Sequence, residues 1–212
     1  VFDGLRLTNF EMCYMKKTLF AILLLSTLIF PQISFDQYFE NKTLRLDYYH
    51  TGNATEDSYS IDEMIEEPYW GGSKTNLLDK FDYGKYKFVI KDFTSGKEIY
   101  SRTYATIFRE WQTTDEAKQT TKSFSETIVF PYPKENIIVE FYSRDRKNVL
   151  QKKFEYVVNP NSYFIKTERT FEYKNFEVLN SNNSDEAVDI VIIPDGYTND
   201  DMDKFKKDCE KF

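Results

Sequence analysis

The sequence predicts a mainly β protein: an antiparallel β-sandwich followed by the first strand and helix of an incomplete α/β domain. Three observations lead there. Aromatic side chains are abundant, with 19 Phe and 16 Tyr among 212 residues, and such residues fit the half-buried face of a sheet. Residues 36–160 hold about six or seven stretches of apolar–polar alternation separated by turn residues, at the spacing of a sandwich. After about residue 185 the pattern changes to a continuous apolar run, a sharp turn and a helical periodicity.

The first strand is Thr43 to His50, where Leu44, Leu46 and Tyr48 alternate with Arg45, Asp47 and Tyr49. Residues 51–67 are polar and acidic without periodicity and read as a long loop. Pro68 to Ser73 is a turn cluster anchored by Tyr69 and Trp70. A hairpin follows: Tyr86, Phe88 and Ile90 alternate with lysines, Thr94 to Lys97 form the turn, and Glu98 to Tyr104 return. Residues 106–122 form a connection, with Phe108 to Trp111 as a packed corner and a helical turn around Asp115 to Ala117. Phe124, Ile128 and Phe130 mark the next strand, which Pro131 and Pro133 are expected to end. Ile137, Val139 and Phe141 start another. Leu150, Phe154, Tyr156 and Val158 form its partner across a charged turn, Ser143 to Asn148. Turns rather than helical crossovers join these strands, so the sheets should be antiparallel. Trp70, Trp111, Phe88 and Ile90 are expected to shape this domain.

Residues 161–184 read as linker or connecting strands, and 185–212 as the start of an α/β domain. Val188 to Ile193 is expected to be a strand buried on both faces. Pro194 to Tyr197 turn the chain, Thr198 and Asp201 resemble a capping box, and Met202, Phe205, Cys209 and Phe212 follow at helical spacing. A single strand and helix cannot close a core.

The first 35 residues are not expected to belong to the fold. Met15, Lys16 and Lys17 form a short positive segment, and Leu19 to Phe30 an apolar one. That run is shorter than the roughly 20 residues of a membrane span, so residues 15–35 read as a secretory signal peptide. Export to the periplasm, cell surface or medium is the expectation, with no transmembrane segment in the mature chain. Residues 1–14 read as translated upstream sequence, and the helical pattern running up to Phe212 reads as a gene fragment. With Cys13 ahead of the signal, Cys209 is left as a single core thiol without a disulfide partner.

The net charge of −7 gives no electrostatic reason to bind nucleic acid or an anionic membrane. The basic run Arg144, Arg146, Lys147, Lys152 and Lys153 reads as a solvated hairpin, in preference to a phosphate-binding patch.

No catalytic, cofactor-binding or metal-ligating residue is assigned. The chain has one histidine, His50, whereas a catalytic zinc site takes three protein ligands and usually includes histidine. A hydrolytic triad also needs a histidine base, and no Gly-x-Ser-x-Gly elbow, P-loop or dinucleotide fingerprint is present. His50 reads as a structural residue at the surface or partly buried. Glu66 with Glu67, and Glu110 with Asp115, are pairs expected by chance among 35 acidic residues. Asp62, Glu63, Glu66 and Glu67 lack the spacing of a calcium loop. Asp195 lies where α/β proteins bind ligands, beyond a strand's carboxyl end, but a plain turn and helix cap is the preferred reading.

The segments Leu44-Arg45-Leu46-Asp47-Tyr48, Trp70-Gly71-Gly72-Ser73, Phe81-Asp82-Tyr83-Gly84, Ile107 to Thr114 and Phe130-Pro131-Tyr132-Pro133-Lys134 occur in a telling order. Together with Val188 to Thr198, they resemble the secreted IgA-peptidase family of zinc metallopeptidases. The resemblance implies an N-terminal all-β domain ahead of an α/β catalytic domain, which opens with an aspartate-glycine-tyrosine-threonine turn. Here that turn is Asp195 to Thr198, with Pro194 where a glycine is expected. The family's zinc-binding H-E-x-x-H helix lies further downstream and has no counterpart in this chain. No cofactor is therefore expected in this fragment, and zinc is expected in the full-length parent. The resemblance implies an accessory region whose partners are its own downstream catalytic domain and a protein substrate. The rival reading is a non-catalytic secreted sandwich that binds glycan or protein, supported if aromatics beside the 51–67 loop, or Trp70 or Trp111, are exposed.

Overall fold

A computed structural model describes residues 33–168, 175–180, 187–188 and 190–211. The expected upstream segment, Cys13, nearly all of the expected signal peptide, parts of the linker and Phe212 lie outside them, but Phe35, expected to precede the fold, is buried in it. No helix among the described residues is long and apolar enough to cross a membrane.

A short helix, α1 (Phe35–Tyr38), leads into β1 (Phe39–Gly52) and β2 (Asp57–Glu67). Next come β3 (Tyr86–Asp92), β4 (Glu98–Tyr104), the five-residue helix α2 (Ile107–Trp111) and a 3₁₀ turn, Glu116–Lys118. The remaining strands are β5 (Lys122–Pro133), β6 (Ile137–Arg144), β7 (Leu150–Val158) and β8 (Ile165–Thr167). The helix α3 (Met202–Cys209) comes last. Two four-stranded sheets result, ordered β5-β1-β2-β8 and β4-β3-β6-β7. All pairings are antiparallel except the short parallel contact of β8 with β2.

Alternation puts Leu44, Leu46 and Tyr48 on the inner face of β1, and Phe88, Ile90, Val139 and Phe141 on that of the facing sheet. Rings meet across the gap: Tyr48 lies 4.9 Å from Phe141, and Phe88 6.3 Å from Phe130, centroid to centroid. The expected antiparallel β-sandwich is therefore the architecture, with the hairpin return at Glu98–Tyr104 as read from the sequence.

Three differences from the sequence reading have physical reasons. The expected loop 51–67 is largely strand β2. Its outer face is acidic, and a bulge at Asp62, opposite Asp47 and Tyr48, throws its apolar residues out of phase. β5 ends at Pro133, as expected, but Pro131 lies inside it, paired with Thr43 of β1. β5 is an edge strand, and two prolines two residues apart lose their donors on the same, unpaired side. The expected buried strand at Val188–Ile193 is not formed: Val188, Ile190, Val191 and Ile193 are each at least 80% exposed. A strand buried on both faces needs neighbouring strands for its backbone groups, and the described residues supply none there.

The end of the chain otherwise folds as read. Gly196 takes φ +78° in the turn, a region that costs glycine little. Thr198 and Asp201 form the capping box: the Asp201 carboxylate accepts from the Thr198 backbone N–H at 3.0 Å and from its hydroxyl at 2.7 Å. Phe205 and Cys209 are the buried side of α3, with Phe205 against Phe176 and Tyr197. Cys209 is a free, buried thiol.

Candidate functional site

The alternation that buries Leu44, Leu46 and Tyr48 continues to His50, which is fully buried. It is not at the surface, as one branch of the sequence reading had it. Its Nδ1 lies 3.2 Å from Glu126 Oε2 on β5, and its Nε2 3.3 Å from Asp57 Oδ2 on β2. Both carboxylates are 8% exposed. A neutral imidazole has one donor and one lone pair, and the lone pair would face a carboxylate. Two carboxylates on opposite sides select the doubly protonated cation. The far oxygen of Asp57 pairs with Lys153 Nζ at 2.8 Å. Lys153 is the extra residue of a bulge in β7, where Phe141 faces Phe154 but Tyr142 faces Lys152. The result is an alternating row, Lys153, Asp57, His50 and Glu126, with no net charge.

Hydroxyls and rings complete the site. The Tyr48 hydroxyl donates to Glu126 Oε2 at 2.7 Å and meets the Tyr104 hydroxyl at 3.0 Å. The His50 ring is stacked between Phe108, at 3.8 Å, and Tyr59, at 4.3 Å. A cation held between aromatic faces gains from their quadrupoles. Phe108 is there because α2 turns its buried side, Phe108 and Trp111, onto Tyr86 and Ala117. This is the packed corner that the sequence indicated. Trp111 is buried, and its Nε1 donates to Glu116 at 2.8 Å. Trp70 is half-buried, edge-on to Tyr100.

Burial alone would lower the His50 pKa. Hydrogen bonds to Asp57 and Glu126, and their charges, outweigh it and raise the pKa above the ordinary 6.5. Burial pushes Asp57 up, but His50 and Lys153 bring it down to about 2. Glu126 is likewise lowered against burial, by His50, Thr106 and Tyr48. These shifts set a pH dependence. The raised His50 contributes stability below its ordinary value, lost as pH rises through the folded value. The lowered carboxylates contribute above their ordinary values of 3.8 and 4.5, lost on acidification, for Asp57 through about 2. The thermal midpoint should therefore peak between about pH 4.5 and 6.5 and decline on the alkaline side. In a His50→Gln variant the alkaline decline should be much reduced. A wild-type midpoint flat from pH 5 to 9 would contradict a charged His50.

Chemically the row is closed. Both His50 nitrogens are occupied, and no solvent reaches the ring, so it has no free lone pair to act as a base. Nor do these residues fit a zinc site: among the described residues no His, Cys, Asp and Glu side chains are grouped to hold a metal, and His50 stands between its carboxylates rather than converging with them on a point.

The other acids take structural places. Glu66 pairs with Lys42 at 3.0 Å, Glu67 with Arg45 at 3.3 Å, and Glu63 with Lys166. Glu110 is exposed, and Asp115 pairs with Lys118. Asp195 is exposed in its turn. The basic run divides. Lys152 pairs with Glu140 and Glu155, Arg144 with Asp82, and Lys153 with buried Asp57, so a solvated hairpin describes only part of it.

The sandwich has relatives. Residues 34–155, more than half of the chain, match the family described as the N-terminus of peptidase M64. No curated protein matches the chain. The matched region begins at the N-cap of α1 and ends within β7, covering the His50 row and the α2 corner. The chain therefore belongs to the peptidase M64 family, and its β-sandwich is that family's N-terminal domain.

Proposed function

We propose that this chain is the N-terminal accessory region of a secreted zinc metallopeptidase resembling the IgA peptidases. Peptide-bond hydrolysis would belong to a catalytic domain entered at about residue 185, with zinc ligands lying outside this chain. Membership of the M64 family carries the reading. The turn at Asp195 to Thr198, followed by a capped helix, supports it. So does the exposed apolar run near residue 190, which has the composition of a buried strand. The sandwich would support the catalytic domain or help engage protein substrate, and export would follow from residues 15–35.

The alternative is a free-standing module for glycan or protein: Trp111 is buried and Trp70 half-buried, whereas Tyr69, beside residues 51–67, is 70% exposed. A casein-cleavage assay separates the two. This chain alone should leave casein intact, whereas a product continuing through an H-E-x-x-H segment should cleave it and lose activity with a chelator. Chelator-sensitive cleavage by this chain alone, or none by the longer product, would overturn the proposal.

A further inference from the structure

Between the start of β3, α2 and the β6–β7 turn lies a cavity of about 510 Å³, within the roughly 300–1,000 Å³ of small-molecule sites. Lys85, Arg109, Arg144, Arg146 and Lys153 contribute to its wall, against only two carboxylates, Asp57 and Asp145. This reverses the sign of a protein whose net charge is −7.

Some of those charges are already engaged. Arg144 is fixed by Asp82 at 2.9 Å and by the carbonyls of Asp82 and Gly84. Lys153 is held by Asp57. Asp145 accepts from the backbone N–H groups of Lys147 and Val149, which shapes the turn. Lys85 donates only to the Arg144 carbonyl. Arg109 and Arg146 have no carboxylate within ion-pair distance among the described residues. Three cations thus share the wall with one carboxylate outside any ion pair, Asp145, which leaves them in excess. Burial, and then the nearby Arg109 charge, pushes the Lys85 ammonium below its ordinary pKa. Tyr86 also forms part of the wall, and its buried hydroxyl has no hydrogen-bond partner. Buried polar groups rarely stay unpaired.

We propose that this cavity binds a phosphate group carried on a small polar molecule of about monosaccharide size, held by Lys85, Arg109 and Arg146. Arginine forks match phosphate oxygens in pairs. A phosphate monoester carries about −1.5 to −2 charges at neutral pH, a closer balance for three cations and Asp145 than a single carboxylate. The cavity leaves room beyond the anion for its carrier.

The test is calorimetric titration of the full chain with glucose 6-phosphate and, separately, inorganic phosphate. Saturable one-to-one binding is expected, with the sugar ester tighter. Equal affinities would assign the site to free phosphate and leave the anion chemistry standing. Arg109 and Arg146 are exposed, so Arg109→Gln and Arg146→Gln should fold with unchanged thermal midpoints. Each should weaken binding about tenfold, as loss of a charged hydrogen bond does. Lys147→Gln, in the same turn but outside the wall, should leave affinity unchanged. Absence of saturable binding with either probe, or an equal loss from Lys147→Gln, would overturn the proposal, the latter by revealing a diffuse ion atmosphere.

Discussion

Replacing His50 by alanine should cost about 3–5 kcal/mol of folding stability, the range for breaking a buried ion pair from one side. The loss is uneven along the row. Asp57 would keep a cation, Lys153, but Glu126 would be left with neutral hydroxyl neighbours beside a charge nearly closed to water. The gap between Phe108 and Tyr59 adds a cavity cost. Urea unfolding of wild type and variant at pH 6 measures the difference. A loss below about 1 kcal/mol, the scale of an exposed pair, would mean that the row carries no buried charge.

Phe108→Ala should cost a similar amount, about 3–5 kcal/mol, as large-to-small changes at buried aromatics do. Phe108 is fully buried and touches three rings, His50 at 3.8 Å, Phe124 at 5.5 Å and Trp111 at 5.8 Å. Its removal unseats α2 and admits water to His50, coupling the corner to the charged row. The neighbouring Ile107 is 71% exposed, so Ile107→Ala should change stability by no more than about 0.5 kcal/mol. Chemical denaturation of the pair checks both values. Equal losses would show that α2 is not anchored through Phe108.

The two substitutions share a lesson about what a sequence discloses. Locally encoded features were legible: the β3–β4 hairpin, the Thr198 capping box and the helical turn around Asp115 to Ala117 each follow from spacing within a few residues, whereas the helix α2 itself was not read. β2 was hidden because a single bulge at Asp62 breaks its period and its outer face is acidic. Pro133 ends β5 as expected, whereas Pro131 misled because its tolerance depends on β5 being an edge, a property of the assembled sheet. His50 was half legible. Its place in the alternation of β1 marks it as inward-facing, but Glu126 is 76 residues away and reaches it only through the β1–β5 register. The cationic cavity was less legible still. Lys85, Arg109 and Arg146 come from three separate segments, and only the last belongs to the basic run visible in the sequence.

The M64 match fixes what kind of domain the sandwich is, and within it the His50 imidazole is held between two buried carboxylates. The proposed function divides the labour between this β-domain and a catalytic unit beyond it. The most direct measurement is to read the gene past the codon for Phe212. The account predicts an in-frame continuation containing H-E-x-x-H and a third metal ligand. A stop codon directly after Phe212 would contradict it, leaving a sandwich without a peptidase to serve.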